Sequence, residues 1–313
     1  MKNIRPGRIS DYMQLCRPGI SLFAAFSSGC SYMLSGQHNI SLLSLLLLSG
    51  GVFVLASGAS CMNQYQEKAT DALMARTRRR PLPSGRLSPR HALYLASAAV
   101  MAGLSILIAS AGPISAAIGL FALIWYNGIY TYLKRITAFA AVPGGLTGSL
   151  IPAIGWAAGG GSLTDPRLLA LSIFFGMWQV PHFWLLAFEH GKEYEAAGLP
   201  SLTQIFGPEQ ITRLIFAWLA ATAVCGLMLC LFSMAYTSVV RYFILAFSIW
   251  LVWQGGRFMV SNGKGSSLLF VKLNIYVVAI LGLLCSDTLY TRSIDLIPRF
   301  IDQVALKAHY FRL

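Results

Sequence analysis

Acidic side chains are scarce in this chain: 11 Asp and Glu in 313 residues, against 24 Lys and Arg. Only 11% of residues are charged at all, where a soluble globular domain carries about 25%. That shortage excludes a soluble fold, whose surface needs far more charge to stay hydrated. Cysteine is sparse too. Cys16, Cys30, Cys61, Cys225, Cys230 and Cys285 show no metal-ligand spacing and lie mostly in apolar surroundings. They read as small packing residues, not as a zinc site or a disulfide framework. The amino terminus, MKNIRPGRISDYMQLCRPG, is basic but lacks a short apolar core followed by a small-residue cleavage site, so no signal peptide is expected. No internal repeat is visible. The net charge of +13 invites a nucleic-acid reading, but the basic residues sit in loops between apolar runs, so no nucleic-acid partner is expected.

What the chain has in abundance is apolar length. Hydrophobic residues make up 56% of it, and a membrane-spanning helix needs about 20 mainly apolar residues. Nine stretches qualify: about 18–36, 41–63, 91–111, 114–133, 137–158, 168–188, 211–235, 238–256 and 268–290. The expected fold class is an all-α polytopic membrane protein of one domain, 1–313, with nine transmembrane helices around a central chamber. Residues 1–17 form an amino-terminal segment and 291–313 a carboxyl tail. The 64–90 loop alone holds seven Lys and Arg. The positive-inside tendency therefore places that loop, the amino terminus and the chamber mouth on the cytoplasmic side. Nine spans then put the tail's Arg292, Arg299, Lys307 and Arg312 outside, which fits poorly; either the tail lies as an interfacial helix or the count differs by one.

Residues 61–90, CMNQYQEKATDALMARTRRRPLPSGRLSPR, organise the chain. Asn63, Glu67 and Asp71 fall at i, i+4 and i+8, on one helix face with about 6 Å between successive side chains. Glu67 and Asp71 are the only acids between residues 12 and 164. Arg76, Arg78, Arg79, Arg80, Arg86 and Arg90 follow. Arginines beside an apolar run are commonly just the positive-inside signal. Spending carboxylates and an amide there points instead to a magnesium-bound polyphosphate, with hard oxygens on the metal and guanidiniums on the phosphate. The preceding SGGVFVLASGAS is rich in small residues, which let helices approach closely in lipid. Its polar groups imply that this helix lines a chamber.

Three later features bear on that chamber. Trp125, Tyr126, Tyr130 and Tyr132 cluster near Lys134 and Arg135; they form either an interfacial aromatic belt or a lining whose faces steady a cation, with Lys134 reaching a phosphate. PGGLTGSLIPAIGWAAGGG predicts a kinked, closely packed helix. The sixth span ends GMWQVPHFWLLAFEHGKEYEAAGLPSL, where Glu189 and Glu193 are four apart beside Lys192, Tyr194 and Glu195. This is either a second acidic cluster, able with the first to hold two magnesium ions on one diphosphate, or a solvated loop. His182 follows Pro181 and is either a packing residue or a group facing iron or a porphyrin. Asn274 and Asp287, nearly the only polar groups of weight in the last three spans, have no evident role from sequence.

With these residues in view, the chain resembles the UbiA superfamily of intramembrane prenyltransferases, and within it the protoheme IX farnesyltransferase (haem O synthase) family, over about residues 12–290. The family motif N-x-x-x-D-x-x-x-D is matched by Asn63, Glu67 and Asp71. The continuation M-x-R-T-x-x-R-P-L-P-x-G is matched by Met74, Arg76, Thr77, Arg80, Pro81, Leu82, Pro83 and Gly85. The stretch MARTRRRPLPSGRLSP is characteristic of the haem-modifying branch. Y-T-x-x-L-K-R is similar at Tyr130, Thr131, Leu133, Lys134 and Arg135, with one residue missing. W-x-x-P-H-F-W appears as Trp178, Pro181, His182, Phe183 and Trp184. D-Y-x-x-A-G-x-P appears as Glu193, Tyr194, Ala197, Gly198, Leu199 and Pro200. Glu67 and Glu193 stand where the family usually has aspartate.

The resemblance implies that farnesyl diphosphate, haem B and water give haem O and diphosphate in a bacterial cytoplasmic membrane. It implies Mg2+ held by Asn63, Glu67, Asp71, Glu189 and Glu193. Diphosphate is then bound by Arg76, Arg80, Lys134 and Lys192, and haem by His182 and Trp178. Association with a haem A-forming enzyme or a terminal oxidase is a further implication. A relative that prenylates a quinone or chlorophyll precursor would keep the acidic clusters without the R-T-x-x-R-P-L-P tail. A non-catalytic haem-handling transporter would leave the paired acids unexplained.

Overall fold

The structure, a computed structural model, describes residues 9–36 and 40–310, with side chains through Ile294. Lys2, Arg5 and Arg8 of the amino-terminal segment, and the side chains of Arg299, Lys307 and Arg312 in the tail, lie outside the described residues. Every regular element among the described residues is helical. In order come α1 (Ile9–Cys16), α2 (Pro18–Leu34), α3 (Leu42–Leu73), α4 (Pro89–Leu123), a π-helical turn (Ile124–Tyr130), α5 (Thr131–Leu133) and α6 (Ala141–Ala158). These are followed by α7 (Pro166–Glu189), α8 (Gly191–Ala196), α9 (Leu202–Ile205), α10 (Pro208–Leu231), α11 (Ser238–Val260) and α12 (Ser266–Tyr310).

Six of these segments are long and apolar enough to cross a membrane, the second of them running 45 residues from Pro89 to Leu133. That one is two crossings. Gly112 leaves the helical region at φ 83°, a conformation that favours glycine, and Pro113 follows. Leu107 on one side of Gly112 sits against Gly119 on the other, so the chain reverses there. With the shorter α2 and α6, of 17 and 18 residues, every one of the nine expected stretches coincides with a helical segment. The tail is a direct continuation of the last one, since α12 runs unbroken to Tyr310.

Local sequence sets the helix starts. Ser88 before Pro89 and Asp165 before Pro166 each cap a helix with a side-chain oxygen, and proline follows where its missing N–H costs nothing. Thr237 caps α11 in the same way. Asp287 of α12 completes that cap: its carboxylate accepts from Tyr236 N at 2.5 Å, Thr237 N at 3.1 Å and Thr237 Oγ1 at 2.6 Å. The residue with no evident role in the sequence is thus the anchor of a neighbouring helix.

Small residues set the spacing. A Cβ on Gly103 would stand 2.6 Å from Leu55 N, so α3 and α4 pack backbone to backbone. Ser31 Oγ of α2 donates to the Pro152 carbonyl of α6 at 2.6 Å, and Ser115 Oγ of α4 to the Ile154 carbonyl at 3.1 Å. Both bonds satisfy hydroxyls buried in the bundle, and the first also takes up a carbonyl of the proline-containing helix. One apolar core joins α7, α10, α11 and α12 around Phe174, Tyr276 and Leu284; a second joins α2, α3, α4 and α6 around Leu55, Leu107 and Ile154. A cavity lies between them. All six cysteines are free; Cys16 Sγ and Cys61 Sγ lie 3.7 Å apart.

Candidate active site

The cavity measures about 600 Å³ and is walled by α2, α3, the π-helical turn, α6, α7 and α12. Asn63, Glu67 and Asp71 all line it, as one face of a continuous α3 requires. Each is held differently. Asn63 Nδ2 donates to Thr131 Oγ1 at 3.0 Å, and that hydroxyl donates onward to the Tyr126 carbonyl at 2.9 Å. The chain of donors fixes the amide, and Asn63 Oδ1 is a buried acceptor without a partner among the described residues. Glu67 is ion-paired with Lys134. Asp71 is 3% exposed at its side chain and takes Arg80 Nη1 at 2.7 Å, while its backbone carbonyl accepts from Thr77 Oγ1 at 2.8 Å. Burial pulls the Arg80 guanidinium below its ordinary value; the Arg17 charge adds to this and Asp71 opposes it.

The second acidic cluster divides. Side chains at i and i+4 share a face only if the helix continues, and α7 stops at Glu189, with His190 at φ −115°, ψ 19°. Glu189 therefore turns away from the cavity and accepts a hydrogen bond from Ser266 Oγ at the start of α12. Glu193 is in the first turn of α8 and accepts the Arg76 backbone N–H at 3.0 Å, tying the arginine loop to α8 beside the mouth. Arg76 lines the cavity; Lys192 is exposed and absent from its wall. Glu195 accepts from Thr203 Oγ1 at 2.5 Å.

The aromatic cluster divides as well. Tyr126 and Tyr130 line the cavity and stack on each other at 5.9 Å, Tyr130 stacks on Phe183 at 5.4 Å, and Lys134 Nζ sits 5.0 Å from the Tyr130 ring centre. Tyr132 is 46% exposed on the outer surface, and Trp125 Nε1 donates to the Pro143 carbonyl at 2.8 Å. Deeper in, the wall becomes apolar and aromatic. Trp178 and His182 both line it, with ring centres 5.0 Å apart. His182 Nδ1 lies 2.9 Å from Asn274 Oδ1, which accounts for the second unassigned polar residue of the last spans.

Two wall residues escaped the sequence reading. Arg17 lines the cavity in the left-handed region, at φ 47°, a conformation costly for a non-glycine residue and common at functional sites. Its only sequence signal was a cation immediately before the Pro18 that opens an apolar run. Gln179 lines the cavity with a buried Oε1 that has no hydrogen-bond partner among the described residues; no periodicity marked it.

Among the described residues no three His, Cys, Asp or Glu side chains gather closely enough to hold a metal ion. The orphaned Asn63 Oδ1 beside two carboxylates is nevertheless a set of hard oxygen donors, the kind that suits magnesium sharing its shell with phosphate oxygens.

Comparison with known proteins places the chain in a family. A protoheme IX farnesyltransferase from Geobacter sulfurreducens is 44% identical over 187 residues, covering 59% of this chain and 68% of the relative. Another, from Oleidesulfovibrio alaskensis, is 36% identical over 246 residues, covering 79% and 86%. Among solved structures, a UbiA homologue from Archaeoglobus fulgidus bound to DMAPP and Mg2+ superposes with a TM-score of 0.67 at 19% identity, covering 91% of this chain and 99% of that one. A digeranylgeranylglyceryl phosphate synthase superposes with a TM-score of 0.71 at 16% identity, covering 90% and 98%. These two structures share the fold. The model of the UbiA prenyltransferase family matches residues 21–278, a span that holds both the acidic face of α3 and the His182 end of α7. The chain belongs to the UbiA prenyltransferase family.

Proposed function

We propose that this protein transfers a farnesyl group from farnesyl diphosphate to a vinyl group of haem B, with addition of water, giving haem O and diphosphate. One observation carries the reading. A single cavity joins a wall of carboxylates, an amide and cations to an aromatic chamber edged by His182 and Trp178. The names of relatives at 34–44% identity support the choice of substrates.

Asn63, Glu67 and Asp71 would hold Mg2+, with Glu193 at the mouth. Glu189, expected with them, is engaged by Ser266 and is left out of the set. When bound, magnesium would neutralise the diphosphate as the allylic carbon–oxygen bond breaks. Lys134, Arg80 and Arg76 then meet the phosphate oxygens, and Lys192 would have to swing in from the surface. Preorganised cations aimed at developing negative charge supply much of such a rate enhancement. Tyr126, Tyr130 and Phe183 present ring faces to the farnesyl cation and keep water from it. The haem vinyl group attacks the cation, and water adds to the resulting porphyrin-side cation, releasing a proton. His182 and Trp178 hold the haem.

The basic segment 74–88 between α3 and α4, beside the mouth, supports a cytoplasm-facing site in a bacterial cytoplasmic membrane. The product would pass to a haem A-forming enzyme or a terminal oxidase in the same membrane.

A turnover assay tests the reading. Purified protein in lipid receives haem B, farnesyl diphosphate and magnesium, with a chelator control, and the haems are weighed by mass spectrometry. A magnesium-dependent haem carrying one farnesyl group plus water is expected. Unchanged haem beside folded protein would overturn the acceptor assignment.

A further inference from the structure

Resting on haem as the acceptor, we propose that His182 Nε2 is an axial ligand for the haem iron and that Asn274 is the positioning residue that reserves it for that role. The argument follows the protons. Asn274 Nδ2 lies 2.7 Å from the Phe270 carbonyl. A carbonyl only accepts, so the atom facing it must be the amide nitrogen. The amide oxygen therefore faces His182 Nδ1, at 2.9 Å. That oxygen also only accepts, so Nδ1 carries the imidazole proton. In the neutral ring the lone pair is then on Nε2, which has no protein partner among the described residues. Both His182 and Asn274 line the cavity.

The ring is held as well as the proton. Phe270, from the same turn of α12 as Asn274, packs on the imidazole with ring centres 4.5 Å apart; Trp178 and Phe183 stand at 5.0 and 5.6 Å. A histidine that donates one ring N–H to a fixed oxygen and keeps the other nitrogen free is the usual arrangement of a metal-ligating imidazole. Packing alone would need neither the carbonyl-locked amide nor an unpaired nitrogen on a cavity wall. An iron anchored at His182 would set the distance and tilt of the porphyrin plane relative to the Glu67–Asp71 wall, a positional constraint that shape alone gives poorly in an apolar chamber.

The test compares ferric protoporphyrin IX with iron-free protoporphyrin IX, both titrated into full-length protein in lipid nanodiscs and followed by absorbance and electron paramagnetic resonance. The wild-type protein is expected to show an imidazole-ligated ferric haem and to bind the iron form about tenfold or more tightly than the iron-free form. In His182→Ala that preference collapses to near unity, whereas damage to the fold would weaken both ligands alike. His182→Gly regains the imidazole spectrum when free imidazole is added. Asn274→Leu, which cannot accept the Nδ1 proton, loses roughly tenfold of the preference, and Asn274→Asp keeps it. A wild-type complex whose iron lacks a nitrogen ligand, or a spectrum indifferent to His182→Ala, overturns the inference while leaving haem as the acceptor. Failure to bind either porphyrin overturns the acceptor assignment itself.

Discussion

Arg80 reaches from the loop after α3 back to Asp71, nine residues earlier, and closes an ion pair at 2.7 Å on a carboxylate that is 3% exposed. Arg80 thus shares the Asp71 carboxylate with the proposed metal. Asp71→Asn removes the anion and keeps the shape. It is expected to leave the protein in the membrane and to lower turnover by at least about 100-fold, the loss of several kcal/mol of charge stabilisation. Membrane-normalised kcat measures this; full activity would remove Asp71 from the metal set.

Glu67 is paired with Lys134 and stands where relatives in its family usually carry aspartate. Glu67→Asp shortens the reach to Lys134 by one methylene and keeps a hard oxygen donor. Turnover should stay within about tenfold of wild type, with a changed magnesium requirement, while Glu67→Gln should lose at least about 100-fold. A magnesium titration of the two variants separates them. Equal behaviour would mean that the charge at this position does not matter.

Tyr130 gives its ring to three neighbours at once: Tyr126, Phe183 and the Lys134 ammonium. Tyr130→Phe retains the face and should keep most of the activity. Tyr130→Leu removes it and should cost roughly 10-fold in kcat, in keeping with a cation–aromatic contribution of about 1–2 kcal/mol in a desolvated site. Parallel kcat values for Phe and Leu would show that the ring only packs.

Asp287 binds the two backbone N–H groups and the hydroxyl that open α11. Asp287→Ala leaves these donors unpaired in a part-buried setting and should destabilise the fold by about 2–4 kcal/mol, at 1–3 kcal/mol per stranded group. A thermal or denaturant midpoint reads this directly. The variant that survives should retain the wild-type KM for farnesyl diphosphate, because Asp287 is not on the cavity wall.

Gly103→Ala places a methyl 2.6 Å from the Leu55 backbone nitrogen and should cost about 1–3 kcal/mol as α3 and α4 are wedged apart. Since α3 carries Asn63, Glu67 and Asp71, some activity should fall with stability. A variant as stable and active as wild type would mean that the helix pair has slack.

The residues that could be read from sequence are those whose meaning is local. Nine apolar stretches are nine helical segments, and three polar residues at i, i+4, i+8 do share one face, because α3 has no break between Asn63 and Asp71. Glu189 and Glu193 are also four apart but do not share a face, because α7 ends between them at His190, with Gly191 next. Asn274 and Asp287 were opaque for a different reason. Their partners, His182 and the Tyr236–Thr237 cap, are 92 and about 50 residues away in the chain, and only the assembled bundle pairs them. The tyrosines divided at the π-helical turn, whose wider winding no hydrophobic period predicts.

The paired charges on the chamber wall have one more consequence. In a medium of low dielectric, an ion without its opposite is the costly event, not the presence of ions. Lys134 with Glu67 and Arg80 with Asp71 cancel each other, while Arg17 and Arg76 leave the wall with two more cations than carboxylates. A visitor that brings both signs together can trade partners with those two pairs one for one. The surplus then favours a head group that stays negative with a metal attached, which lets an enzyme buried in oil accept a substrate whose head belongs to water.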